Sequence, residues 1–259
     1  MKILWVGDIV GGPGRRVFAD VARRLKGDGA VSAIIVNAEN AAGGSGITEA
    51  IGDELFAAGA DVITLGDHIW GQKGTEAYVA KEKRVARPAN LPAACPGATY
   101  VTVATPLSPV TVVSLLGRVF MQPAECPFLA ADAVLRRLPG NCGPVFVEIH
   151  AEATSEKIAL GRYLDGRVAA VAGTHTHVQT SDAQILPRGT AYITDLGMTG
   201  PIDSVIGREL APVLRKFTTG MPSKFDVAKG PAALHGAIVD IDRATGRAVS
   251  IEPFAWREP

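Results

Sequence analysis

The chain has 259 residues, 47% of them apolar, and its 26 basic and 26 acidic side chains cancel. That size suits one large α/β domain over residues 1–259, with enough apolar side chains for a sizeable core. A neutral chain without a basic run lacks the surface that tracks a nucleic-acid backbone, so any phosphate it handles is expected in a small local site.

In chain order, Ile3 to Val6 is the first predicted strand. It ends at Gly7, too short for a signal sequence, and no stretch approaches the ~20 apolar residues of a membrane span. A cytoplasmic protein with no membrane partner is the expectation. Glycines follow, then a helix with Val17, Phe18, Val21 and Leu25 on one face. Ala33 to Val36 is the second strand, Thr48 to Ala58 a helix and Val62 to Leu65 the third strand. Continuous β-branched runs separated by helices predict a buried parallel sheet with right-handed crossovers.

Five prolines between Pro88 and Pro109 predict a long crossing loop that leads from one sheet to a second. Beyond it come strands at Val110 to Leu116 and Val145 to Ile149, a helix over Ala153 to Leu164, and a strand at Val168 to Ala172. Two last strands are predicted at Ala191 to Thr194 and Ala237 to Ile241. The expected architecture is two sheets packed face to face and flanked by helices. Three cysteines, Cys95, Cys126 and Cys142, form no C-x-x-C pair and predict neither a disulfide framework nor a zinc knuckle.

The candidate chemistry lies just past the strand ends. Asp8 follows the first strand, Glu39 and Asn40 the second, and Asp67 and His68 the third; His150, His175 and His177 follow two later ones. In an open α/β sheet that edge is where ligands bind. The chain has five histidines, and four of them stand at these ends beside acids or amides. His235 is read as a packed or surface residue outside the site. Between His175 and His177, an extended chain would point both rings to one side.

Carboxylate, amide and imidazole donors suit Mn, Fe or Zn rather than a thiolate-selected metal. Six or seven such donors exceed one tetrahedral ion and match two divalent ions sharing a carboxylate. Two ions ~3.5–4 Å apart can activate a hydroxide at neutral pH and neutralise phosphoryl oxygens. The reading is therefore a dinuclear-metal phosphodiesterase acting on a small phosphodiester.

The blocks Gly7-Asp8-Ile9-Val10-Gly11, Asn37-Ala38-Glu39-Asn40, Gly66-Asp67-His68, His150 through Lys157 and Gly173-Thr174-His175-Thr176-His177 resemble the signature blocks of YmdB-type metallophosphoesterases, of the calcineurin-like superfamily. Arg87-Pro88-Ala89-Asn90, Gly117 through Met121 and Phe225 through Gly230 resemble that family too. The resemblance runs in order from Lys2 to about Ile241. It implies a four-layer αββα fold of two mixed sheets and activity on phosphodiesters such as 2′,3′-cyclic nucleotides. It also implies two metals, with iron or manganese ahead of zinc. By motif position it implies Asp8, Glu39 (bridging), Asn40, Asp67, His150, His175 and His177 as ligands, with His68 over the leaving group; since a ribose alkoxide needs a proton to depart, His68 is read as the general acid. The chain departs from the broader superfamily in two places. Asp8-Ile9-Val10 replaces Asp-x-His, and Asp67 stands where Asn is usual, adding a negative charge beside the metals.

Nucleotide-binding folds fit less well. No Gly-Lys-[Ser/Thr] follows Gly7 to Gly14, and Gly12-Pro13-Gly14-Arg15-Arg16-Val17 lacks the third glycine of a dinucleotide loop. A different class of reading is a regulatory module that keeps the metal site, catalyses little and acts through a protein partner. The oligomeric state is left open, a homo-oligomer included.

Overall fold

The structure, a computed structural model, describes residues 1–258. Eight strands form the first sheet: β1 (Lys2–Val6), β2 (Asp8–Ile9), β3 (Ala33–Asn37), β4 (Val62–Thr64), β5 (Val85–Ala86), β12 (Met198–Pro201), β13 (Ala232–Ile241) and β14 (Ala248–Arg257). Their order is β2-β12-β13-β1-β3-β4-β5, with β14 beside β13. The second sheet comprises β6 (Val101–Val103), β7 (Val110–Leu116), β8 (Val145–His150), β9 (Ala170–Thr174), β10 (Gln184–Ile185) and β11 (Ala191–Ile193). Its order is β10-β11-β9-β8-β7-β6. Strands β1, β3, β4 and β5 run parallel, as do β7, β8, β9 and β11. The antiparallel β13, β6 and β10 make both sheets mixed.

Strand periodicity sorts the side chains into layers. Along β1, Ile3 and Trp5 enter the core between the sheets, where they meet Ile35, Val112 and Phe146. Leu4 and Val6 enter the outer core with Val17, Phe18, Val21 and Leu55, which lie on α1 (Gly11–Gly27) and α2 (Glu49–Ala58). Tyr78 and Val79 join it from α3 (Thr75–Lys81). On the far side, Val113, Leu115, Val147 and Ile149 pack against α4 (Pro127–Leu135) and α5 (Thr154–Leu164). The result is the expected four layers, helices–sheet–sheet–helices. A sixth helix, α6 (Leu210–Thr219), buries only Val213.

The proline-rich segment after Pro88 does carry the chain from the first sheet to the second, with the short β6 on the way. Among the described residues fourteen strands form where eight were expected: β2, β5, β6, β10 and β12, each of two to four residues, were not anticipated. The expected strand at Ala237 to Ile241 is the second half of β13, and β14 was not anticipated. Pro253 interrupts its pattern, but β14 pairs only with β13, and a strand on the border of a sheet tolerates a proline. Among the described residues, no helix is long and apolar enough to cross a membrane.

Candidate metal centre

The parallel strands of both sheets end at the same edge of the sandwich. Asp8 opens β2, Glu39 and Asn40 follow β3, Asp67 and His68 follow β4, His150 ends β8, and His175 and His177 follow β9. The fold thus gathers the eight sequence-predicted residues in one place. Glu39, Asp67, His150 and His175 offer donor atoms that all lie within 4.8 Å of one another. The Nε2 atom of His150 lies 3.0 Å from Asp67 Oδ1 and 3.2 Å from Glu39 Oε2. Its edge also meets His175, whose Nδ1 is 3.0 Å away.

A second group adjoins the first. Asp8 Oδ1 lies 3.8 Å from His150 Nδ1 and 4.0 Å from His177 Nε2. Asn40 turns its NH2 group to Glu39 Oε1 (3.0 Å) and His177 Nε2 (3.3 Å), and its Oδ1 to His68 Nδ1 (2.8 Å). His68 is anchored by its own backbone N–H on Glu39 Oε2, while its ring is 41% exposed in the cleft. That cleft, ≈ 340 Å³, is walled by Glu39, Asn40, His68, His175, His177 and Arg208. A larger cleft of ≈ 420 Å³ beside Arg167, Arg243 and Arg247 gathers no such set of acids and imidazoles.

The electrostatics are those of acids crowded out of water. Burial raises the pKa of Asp8. Burial also pushes Glu39 upward, but the His150 imidazole and its hydrogen bonds outweigh this and hold Glu39 at about 2. Asp67 is driven well below the usual carboxylate range, because hydrogen bonds from His150 and His175 overcome its burial. His150, though burial opposes its charge, is raised well above the ordinary histidine value by Glu39, Asp67 and Asp8. His68 is raised chiefly by its hydrogen bond with Glu39.

This donor set fits a divalent cation. Asp8 Oδ1 is fully buried with no hydrogen-bond partner, a costly state for a carboxylate oxygen unless a cation meets it. At Gly66, an added Cβ would press on Glu39 Oε2 and on the ring of His150. Only glycine lets these two groups converge there.

Three features were not foreseen from sequence. His175 and His177 do not sit in extended chain: their φ angles are 94° and 64°, left-handed values that non-glycine residues seldom adopt. Both rings face the acids because the backbone curls, not because it alternates. Next, His150 rests on a buried polar floor. Its Nδ1 meets Thr174 Oγ1 at 2.9 Å, and that hydroxyl donates onward to Glu148 Oε1 (3.2 Å). With Glu148 ionised the hydroxyl accepts from Nδ1–H, which leaves Nε2 for the acids and a metal. Glu148 also accepts from Asn37, Thr64 and Trp5, and burial pushes its carboxyl up to about 7. A glutamate in mid-strand within Val145–His150 was the available signal. Last, Glu152 reaches the site's rim, its Oε2 3.2 Å from His175 Nε2, and Arg208 tethers the Gly43–Gly44 turn through both backbone carbonyls. His235, as expected, lies apart from the cluster and bonds the Met198 carbonyl.

The YmdB-like protein family model matches residues 4–254. A Bacillus subtilis (strain 168) protein described as a 2′,3′-cyclic-nucleotide 2′-phosphodiesterase is 45% identical, over 97% of this chain and 96% of its own. Among solved structures, a hypothetical protein from Thermus thermophilus aligns over the whole of both chains with a TM-score of 0.94 and 40% identity. A Mycoplasma pneumoniae protein described as a novel phosphatase aligns with a TM-score of 0.92 and 33% identity, over 99% of this chain and 93% of its own.

Proposed function

This chain belongs to the YmdB-like family, and on that premise we propose that it is a metal-dependent phosphodiesterase acting on small phosphodiesters of the 2′,3′-cyclic nucleotide class. The substrate class is carried over from the Bacillus subtilis relative. Glu39, Asp67, His150 and His175 would hold one divalent ion; Asp8, Glu39, Asn40 and His177 would hold a second. Asn40 would present its Oδ1 to the metal after a half-turn of the amide. Iron or manganese suits this mixture of oxygen and imidazole donors, with zinc next.

One observation carries the two-ion reading. The two oxygens of Glu39 face different partners: Oε2 faces His150 at 3.2 Å, and Oε1 faces the Asn40 amide at 3.0 Å, beside His177. A carboxylate so divided is suited to bridging. When bound, a pair of divalent cations supplies Lewis acidity, neutralising phosphoryl charge and making water ionisable near neutral pH.

The chain's own groups supply the rest. When Glu148 is ionised, the Thr174–Glu148 floor keeps the proton of His150 on Nδ1, so Nε2 stays available. His68, half-exposed and held at its backbone by Glu39, takes the role of general acid. After that half-turn the Asn40 NH2 group would face His68 Nδ1, where Oδ1 now lies at 2.8 Å, and Nε2 remains to protonate the departing ribose oxygen. The test is elemental analysis of gently purified protein, joined to a screen of cyclic nucleotides, linear diesters and monoesters. About two iron or manganese ions per chain and turnover of 2′,3′-cyclic nucleotides are expected. Metal without turnover of any diester would instead identify a binding module.

A further inference from the structure

Lys157 has no place in the chemistry above, yet it lies 1% exposed on α5, one of the larger fully buried side chains. Its Nζ lies 2.7 Å from Asp195 Oδ2 and 2.9 Å from Thr176 Oγ1. The Thr176 hydroxyl is in turn 2.6 Å from Asp195 Oδ2, and the Thr176 backbone N–H reaches the same oxygen at 3.2 Å. The directions are fixed. An ammonium only donates and a carboxylate only accepts, so the hydroxyl accepts from Lys157 and donates to Asp195. The other Asp195 oxygen is held by Gly197 N–H at 2.7 Å, and Asp195 N–H donates to Thr180. Asp195 is fully buried and cannot drift.

Thr176 stands between His175 and His177, the two residues of this turn with left-handed backbone. A buried ammonium and two strained non-glycine residues are separate costs to folding, and here they meet at one threonine. The stem of Lys157 passes over Gly173 to get there: an added Cβ at Gly173 would come within 2.7 Å of Lys157 Cδ. Strained backbone persists where its surroundings over-determine it, and the ion pair pins the residue between the two strained ones through both its backbone and its side chain.

We infer that the buried Lys157–Asp195 pair is a positioning device which, acting through Thr176, holds His175 and His177 in the backbone geometry that aims both imidazoles at the acids, and so sets the site's affinity for divalent cations. The inference rests on the reading of His175 and His177 as metal ligands. Groups that orient ligands without touching the metal typically alter affinity by ~10–100-fold when removed.

The experiment titrates Mn²⁺ into the metal-stripped full-length chain by calorimetry, with thermal melting of the metal-free protein alongside. Thr176→Val keeps the side-chain shape and removes the hydroxyl; Thr176→Ala, which brings no methyl against the ion pair, is the second variant. Both are expected to lose ~10–100-fold in Mn²⁺ affinity, with the metal-free chain still folded and its melting lowered by the hydrogen bonds lost at the buried ion pair, and Thr176→Ser, which restores the hydroxyl, is expected to recover both affinity and melting. Wild-type affinity in either hydroxyl-less variant overturns the inference, as does failure of the serine to recover it. If the wild-type chain itself takes up no Mn²⁺, the metal reading falls first and the positioning role with it.

Discussion

Glu148 lies in the core between the sheets with four donors around it: Asn37 Nδ2 at 2.6 Å, Thr64 Oγ1 at 2.8 Å, Thr174 Oγ1 at 3.2 Å and Trp5 Nε1 at 3.3 Å. Four donors favour the carboxylate, whereas complete burial favours the acid, and burial prevails by raising the group from 4.5 to about 7. A folded-state pKa above the unfolded one means the native state binds the extra proton. The stability it contributes is fully present below about pH 4.5 and is lost as pH rises through about 7. A shift of that size corresponds to roughly 3 kcal/mol, and full burial leaves no solvent screening to discount.

Glu148→Gln removes the titration at a fixed cost. The new amide must point its NH2 group at one pair of donors. Asn37 cannot reverse, because its Oδ1 already accepts from Glu39 N–H. Thr64 can turn its hydroxyl to the Val36 carbonyl, 3.3 Å away. The NH2 therefore goes to the Thr64 side and leaves the Trp5 indole N–H unpartnered, at about 1–3 kcal/mol. Urea unfolding with EDTA, at several pH values from about 5 to 8, should find the variant less stable at the acidic end. The gap should shrink by roughly 2.5 kcal/mol across that window, closing or reversing at the alkaline end. Parallel stability curves would refute the reasoning: Glu148 would then be ionised throughout, with its four donors outweighing burial.

Removing the carboxylate that faces both donor groups, Glu39→Ala should abolish uptake of both metals, whereas Asp8→Ala should weaken mainly one; elemental analysis distinguishes them, and a full metal complement in Glu39→Ala would remove Glu39 from the bridge. Asp67→Asn should bind metal less tightly, since an amide brings no charge, and keep most of its turnover; complete inactivation with metals in place would show that the carboxylate handles a proton. His68→Ala should lose ~10²–10⁴-fold on a 2′,3′-cyclic nucleotide and far less on a nitrophenyl diester, whose leaving group needs no proton. Equal losses on both substrates would assign His68 to phosphate positioning instead.

The sequence alone determined the identity and order of the eight clustered residues, because each sits a short distance past a recognisable strand. Parallel strands joined by crossovers carry the ends within one sheet to one edge, so Asp8, Glu39, Asn40, Asp67 and His68 were legible as one group and His150, His175 and His177 as another, and the packing of the two sheets joins them. The tertiary structure decided everything that depends on which face of a strand meets what. Along β8, Phe146, Glu148 and His150 share the face turned to the other sheet, and only sheet-on-sheet packing brings Asn37, Thr64 and Trp5 against Glu148. The left-handed turn at His175 and His177 was invisible for a related reason: local preference disfavours it, and what holds Thr176 comes from residues 19 positions away in either direction, Lys157 and Asp195. Local periodicity places side chains along an element, but a buried charge is stable only beside partners that distant segments deliver, and sequence spacing does not encode that meeting.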